Sequence, residues 1–304
     1  MTVETKIEAK KSLRQKLKPD AVSLFRFGMQ VAPLLPPRLG NALADLIGII
    51  GFYLIKTKRE AVLANLTQVF YDRTPAERRK IARAIFKSNI RNYYDMLRVH
   101  ALTPKQLQEQ VKVYGLEDWY KVDSEGRGVI FYAAHMGSFS FVINMAQYAK
   151  LKFNLVVENI KPPELFELFR AQREKFPDSK IIQIGSPEVR NILRALKKGE
   201  CVCLAIDRDV IGTGKPVKFF GKETKLPYGA AELAIKTGSY VMLAHPYRRP
   251  DGTSIVQFSK LILPERTGDT QADIQKLMEY MVSEIEKVIR TTPQDWVVLA
   301  PIWN

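Results

Sequence analysis

RGVIFYAAHMGSFSFVINMAQY, residues 127–148, is the stretch whose reading decides the fold. Gly126, Arg127 and Gly128 give a turn signal before it. Val129 to Ala134 is a short apolar run rich in β-branched and aromatic residues, which predicts a buried strand. His135 stands just past its end. After Met136, Gly137 and Ser138, the apolar residues Phe139, Val142, Ile143, Met145 and Ala146 recur at helical spacing. Strand, tight turn and helix put His135 at the carboxyl end of a strand, the edge where open α/β sheets bind ligands. A histidine is the natural general base near neutral pH, and it needs a group, usually a carboxylate, to hold its second nitrogen. Ser140 stands one helical turn beyond the bend, where that carboxylate is expected. A structural or merely polar His135 is the alternative. The other two histidines, His100 and His245, lack this strand–turn–helix setting.

Downstream, the same unit repeats in outline. Strands are expected at 153–157, 181–184 and 201–206. Helices are expected at 162–176 and from Ser186-Pro187-Glu188 to Lys198, the second stopped by Gly199. Asp207-Arg208-Asp209 ends the strand at 201–206, and a glycine-rich loop over 210–217 leads to Lys218-Phe219-Phe220-Gly221. A helix at 228–237 closes on Gly238. A strand at 240–244, a turn at Asp251-Gly252 and a strand at 254–258 follow. A long amphipathic helix at 270–291 presents Ile274, Leu277, Met278, Met281, Ile285 and Ile289 on one face. Further strand and helix signals stand at 111–114 and 116–124. His135, Glu158, Asp207 and Asp209 thus fall at equivalent strand ends, which is how this architecture assembles a site. The expected fold is α/β, a mostly parallel central sheet flanked by helices.

Upstream, residues 1–20 are charged, with a short amphipathic helix possible from Ile7 to Leu17. Residues 21–57 read as an apolar helical hairpin at a membrane interface. Its arms, Val22 to Leu35 and Leu39 to Ile55, are separated by Pro33, Pro36 and Pro37. Asn41 and Asp45 interrupt the second arm, which falls short of a clean spanning segment. Basic flanks suit peripheral attachment to anionic lipid; the plainer alternative is a helical cap packed on the main domain. Residues 58–304 read as the α/β domain, opening with helices at 61–70 and 76–97. Thr74-Pro75-Ala76-Glu77 caps the second of these, and Thr103-Pro104 starts a short helix to Gln110.

The chain carries a formal charge of +15, from 47 basic and 32 acidic residues. Such an excess points to a polyanionic partner: nucleic acid, an anionic membrane or an acidic carrier or cofactor. No zinc-finger spacing, RNA-binding aromatic strand or helix-turn-helix signal favours nucleic acid. Cys201 and Cys203 alternate on one strand, are poorly placed for a disulfide and read as small buried residues. The N-terminus shows no secretory signal. There is no P-loop and no nucleophile elbow around Ser138 or Ser140. Asp207 and Asp209 leave open a metal pair, a capping role or substrate contact. Arg173, on the helix after the second strand, is either solvated or the holder of an anion such as phosphate.

Together these pieces resemble the bacterial lysophospholipid acyltransferase superfamily. Within it they are similar to the lipid A late acyltransferases and, more closely, the phosphatidylinositol mannoside acyltransferases. The resemblance is carried by GRGVIFYAAHMGSF at 126–139 and AIDRDVIGTGKPVKFFGKETKLPYGAAELAIKTGSYVMLAHPYR at 205–248. PQDWVVLAPIW at 293–303 and KREAVLANL at 58–66 also agree. It implies a membrane-associated O-acyltransferase on the cytoplasmic face of the cell membrane, peripheral or monotopic. The acyl chain would come from acyl-CoA or acyl carrier protein and pass to a hydroxyl of a glycolipid acceptor, with anionic lipids as partners, no metal and no nucleic acid. A lysophospholipid or lipid A precursor as acceptor, and a non-catalytic lipid-binding protein on the same fold, are the rivals.

The family hallmark is a histidine, four residues, then an acid. His135 matches it, and Ser140 occupies the acid's position. A serine there fits a deliberately inactivated form, natural degeneracy, or a chain in which Glu158 or Asp207 supplies the acid. The intact surroundings favour the first, and Ser140→Asp would then restore activity. The resemblance also implies that Arg173 lies near the acceptor headgroup and that Asp207, Arg208 and Asp209 shape its pocket. Phe219, Phe220, Gly221, Pro227 and Gly229 would line the acyl and acceptor cleft. Backbone N–H groups around Gly137, or a nearby positive side chain, would hold the developing oxyanion.

Overall fold

Strand β2 (Val129–Ala133) runs through the middle of the sheet, and its first four residues are buried. The continuous apolar run suits a parallel strand covered on both faces. Alternation along it divides two cores. Ile130 and Tyr132 join a large cluster on one side, while Val129 and Phe131 pack with Trp119, Ile143, Phe153 and Met242 on the other.

The computed structural model describes residues 20–122, 125–148, 152–158, 160–173, 179–185 and 187–303. Its main sheet has seven strands in the order β1-β9-β8-β2-β5-β3-β4. These are β1 (Val111–Tyr114), β3 (Phe153–Val157), β4 (Ser179–Gln183), β5 (Cys201–Ala205), β8 (Tyr240–Arg248) and β9 (Ser254–Phe258) beside β2. β5 pairs in parallel with β2 on one edge and β3 on the other, with Cys201 opposite both Val129 and Phe153. β8 starts parallel to β2 and then turns antiparallel to β9, extending four residues beyond the expected Ala244. The chain therefore leaves β2 for β3 and β4, returns to lay β5 between β2 and β3, and only then adds β8. That reversal of direction sets the carboxyl ends of β2, β5 and β3 side by side, the switch point where such sheets bind ligands.

The helices follow the expected pattern closely. Thr74 and Glu77 form a reciprocal capping box on α4 (Pro75–Arg98), and Thr103 and Gln106 form another on α5 (Pro104–Gln110). α6 (Glu117–Val122) and α7 (Phe139–Tyr148) flank β2, and α8 (Pro163–Arg173) and α9 (Arg190–Lys197) flank β4. α10 (Gly229–Thr237) closes on Gly238 at φ 68°. α11 (Thr270–Thr291) buries the apolar face read from its periodicity. The amphipathic helix expected over residues 7–17 lies outside the described residues.

The N-terminal arms differ from the expected hairpin. α1 (Ala21–Val31) and α2 (Pro37–Leu54) are indeed separated by the prolines. Both lean on α4. Gly40, Ala44, Gly48 and Phe52 form the buried stripe of α2. A Cβ at Gly48 would come 2.7 Å from Lys87 Cα, so glycine lets the two backbones approach. Asp45, which breaks the apolar run in sequence, accepts both Arg91 Nε and Nη2 at 2.6 and 2.7 Å and pairs with Lys87 at 2.8 Å. The opposite face of α2 is consequently free of charge: Leu39, Leu43, Leu46, Ile47, Ile50 and Leu54 are exposed. No single helix among the described residues is long and apolar enough to cross a membrane. α2 and α3 (Lys56–Val69) meet that composition test only as a pair bent by 92°.

A second difference is the hairpin of β6 (Lys215–Phe219) and β7 (Lys222–Leu226), where only a loop was expected. Its two-residue turn, Phe220-Gly221, has φ of 50° and 77°. Positive φ at both positions matches the twist of flanking strands, but phenylalanine rarely occupies it. Tertiary contacts hold it there: the Glu286 carboxylate accepts the Phe220 N–H, and the Phe220 carbonyl accepts Gln68 Nε2 at 2.9 Å.

Candidate active site

His135 follows β2 as expected, and the turn after it is fixed by close packing. Gly137 has φ 55°, and a Cβ there would lie 2.5 Å from the Pro246 carbonyl oxygen. Glycine alone fits. The tail runs antiparallel to this turn. Val297 N–H donates to the His135 carbonyl at 2.9 Å, and Gly137 N–H donates to the Asp295 carbonyl at 3.1 Å. The Gly137 N–H is therefore engaged, contrary to its expected role as an oxyanion donor.

Asp207, at the end of β5, is completely buried. Its Oδ1 lies 2.7 Å from His135 Nδ1. Its Oδ2 accepts the His135 main-chain N–H at 3.0 Å and the Trp296 indole N–H at 2.8 Å. Glu158, from the end of β3, places Oε1 3.3 Å from His135 Nε2 and is also gripped by Arg208 Nη2. Histidine and two carboxylates thus come from three neighbouring strands, with His135 72 residues from Asp207 in sequence. The His135 side chain is 32% exposed. Since Asp207 covers Nδ1 from inside, Nε2 is the nitrogen on the open side.

The electrostatics follow from this placement. Burial pushes the His135 pKa down, but the charge and hydrogen bond of Asp207, with the hydrogen bond of Glu158, outweigh it and raise it to about 9. The bond to His135, aided by Arg208 against a desolvation penalty, lowers Glu158 to about 2. Burial alone would raise Asp207, yet the His135 charge and hydrogen bonds, with the indole, hold it below its ordinary value. All three shifts favour an imidazolium between two carboxylates near neutral pH.

Other expected residues are placed differently. Ser140 is buried, and its hydroxyl has no hydrogen-bond partner among the described residues. The carboxylate found at His135 Nδ1 is that of Asp207, from the end of β5. Asp209 turns onto its own loop, accepting Gly212 and Gly214 N–H at 2.9 and 2.7 Å, which explains its place in a glycine-rich segment without a metal. No cluster suited to a metal ion occurs among the described residues. Phe219 and Phe220 are buried, with ring centroids 6.4 and 6.5 Å from Trp296. Both rings thus stand against the indole as buried packing. Gly221 is at the exposed hairpin tip, and Pro227 and Gly229 carry the chain from β7 into α10. Arg173 ends α8, and the direction expected of its side chain lies outside what is described. Trp296 was missed as a functional residue. The sequence signals were an uncharged aromatic tail containing two of the three tryptophans and the resemblance over 293–303.

Comparison with known proteins shows the family. A profile of the family described as bacterial lipid A biosynthesis acyltransferase matches residues 8–304. The phosphatidylinositol mannoside acyltransferase of Mycolicibacterium smegmatis is 28% identical over 225 residues, 73% of this chain and 72% of that protein. Its counterpart from Mycobacterium tuberculosis H37Rv is 25% identical over 224 residues, 72% and 69% of the two chains. The lipid A biosynthesis lauroyltransferase of Escherichia coli K12 is 21% identical over 256 residues, 83% and 81%. With a histidine–carboxylate pair at the switch point of its sheet and a profile match over nearly its whole length, the chain is an O-acyltransferase belonging to the bacterial lipid A biosynthesis acyltransferase family.

Proposed function

We propose that the chain transfers a fatty acyl group from acyl-CoA or acyl carrier protein to a hydroxyl of a glycolipid such as a phosphatidylinositol mannoside, at the cytoplasmic face of a membrane. The observation that carries this reading is the bond between His135 Nδ1 and buried Asp207, which leaves Nε2 as the base. The acceptor hydroxyl takes the place of Glu158 at Nε2, and Arg208 retains the displaced carboxylate. His135, once its resting proton has passed to solvent, removes the hydroxyl proton as the oxygen attacks the thioester carbonyl carbon. The C–O bond forms, the tetrahedral centre collapses and the C–S bond breaks. The imidazolium returns its proton to the departing thiolate, and Asp207 stabilises the transient charge. Arg208, whose Nε has no partner among the described residues, is the positive group offered to the developing oxyanion or to a phosphate.

This assignment makes Ser140 compatible with a competent enzyme and weighs against a non-catalytic lipid-binding protein. Phosphatidylinositol mannoside as acceptor is supported by the names of two of the relatives. The exposed apolar face of α2, bordered by Arg38, Lys56 and Lys58, supports contact with anionic lipid. The test is His135→Ala, assayed with palmitoyl-CoA and vesicles carrying a phosphatidylinositol mannoside. Transfer is expected to drop by about three decades or more. Transfer undiminished in a folded His135→Ala chain would end the proposal.

A further inference from the structure

We propose that Trp296 is a positioning residue for the base, acting through Asp207. The inference rests on the reading of His135 as base. The indole is 1% exposed, and its one polar atom meets Asp207 Oδ2 at 2.8 Å. A carboxylate held only through Oδ1 is free to turn about its Cβ–Cγ bond. Here Oδ2 is fixed by two N–H groups, those of Trp296 and the His135 main chain. Oδ1 is thereby held where Nδ1 needs it. The indole also turns the positive end of its N–H dipole toward the carboxylate. That offsets part of the charge that favours the imidazolium, and so keeps the base easier to deprotonate.

The tail carrying Trp296 is anchored well away from the site. Asn65, in α3, donates Nδ2 to the Ala300 carbonyl at 2.8 Å and accepts the Ile302 N–H at 3.2 Å. Thr224, in β7, donates to the Ile302 carbonyl at 2.7 Å. Trp296 itself also forms an antiparallel bridge with Met136. The tail is thus bonded both to the turn that bears the base and to the acid that holds it. This gives a physical reason for Asn65 within KREAVLANL and for the C-terminal segment, two stretches with no other part in the chemistry. A tryptophan that merely filled the core would need some partner for its N–H. Here that partner is the acid on the base, so removal of the N–H alone separates the two roles.

Two forms of the full chain test this. Trp296→Phe removes the N–H and part of the ring. Benzothienylalanine at position 296, introduced by ligating a short synthetic tail, keeps the tryptophan shape and lacks only the N–H. Kinetics are measured with palmitoyl-CoA and phosphatidylinositol mannoside vesicles. The His135 titration is followed by imidazole NMR, with Asp207, Glu158 and Arg208, the charged groups around the ring, unchanged. Both forms are expected to lose about tenfold in kcat, the value of one hydrogen bond, with KM within about twofold. His135 should titrate at higher pH than in the native chain. A benzothienylalanine form with native kcat and native titration overturns the proposal. So does a loss of activity that tracks a lower Tm while the titration stays put. His135→Ala is assayed in parallel: retained transfer there would remove the base, whereas its loss beside a native benzothienylalanine form would remove only the role of Trp296.

Discussion

Asp207→Asn changes the site by one atom and tests its logic most directly. Three N–H groups converge on the native carboxylate, from His135 Nδ1, the His135 main chain and Trp296 Nε1, at 2.7, 3.0 and 2.8 Å. An asparagine amide has one accepting oxygen and one donating NH2. If the oxygen faces the main-chain and indole N–H groups, the NH2 faces Nδ1. That nitrogen must then accept, the ring proton moves to Nε2, and the base is lost. If the oxygen keeps the Nδ1 proton, the NH2 is pressed against two donors, each a buried group left unpaired at about 1–3 kcal/mol. The charge is lost in either case. The rise of His135 from 6.5 to about 9 corresponds to roughly 3 kcal/mol, and Asp207 supplies its largest favourable part. Burial then dominates, and the ring titrates at lower pH. We expect kcat to fall by about four decades, the scale of turning a histidine's orienting carboxylate into an amide. The assays are acyl transfer and NMR titration of His135. A folded Asp207→Asn chain within tenfold of native activity, or with an unmoved titration, would refute the reasoning.

Three further expectations concern other parts of the molecule. Because Asp207 and, to a lesser extent, Glu158 favour the imidazolium, the rising limb of kcat/KM against pH should lie near 9; Glu158→Gln should move it to lower pH, and a limb that does not move would exclude Glu158 from contact with the base in solution. Ser140→Asp should lower stability by about 3–5 kcal/mol and add no activity, since it buries a carboxylate where the structure gives the hydroxyl no partner; a tenfold gain in transfer would return the orienting role to position 140. Ile47→Glu with Ile50→Glu, both on the exposed face of α2, should weaken binding to anionic vesicles by about a hundredfold or more, as roughly 1.5–3 kcal/mol per side chain is withdrawn; unchanged co-sedimentation would place the membrane contact elsewhere.

Much of the fold was legible because single strands and helices are written in local periodicity. β2, β3, β9 and α11 fall where their patterns place them. Three members of the site, His135, Glu158 and Asp207, were legible as strand ends. Their mutual contact was not, because it depends on β5 lying between β2 and β3, an order that no local pattern encodes. The family spacing drew attention to position 140 for the same reason: a motif within one stretch is visible, and an acid from another strand is not. Phe220-Gly221 read as a loop since phenylalanine at positive φ runs against its preference and is held by Glu286 and Gln68 from distant helices. Asp45 looked like an interruption of an apolar face until Arg91 and Lys87 drew it toward α4. Trp296 gave no local sign because the partner of an indole N–H is chosen entirely by tertiary packing.

The placement of β5 also decides what has to be in place before His135 meets its acid. Its two neighbours in the sheet are synthesised earlier, yet neither can complete the catalytic group without the strand that later slots between them. A nascent or partly folded chain carries the histidine but has nothing to point it, so a thioester meeting that chain encounters only an ordinary imidazole. Seating of β5 between its two neighbours is what brings the acid to the ring, and a chain without it keeps the parts of the pair separate.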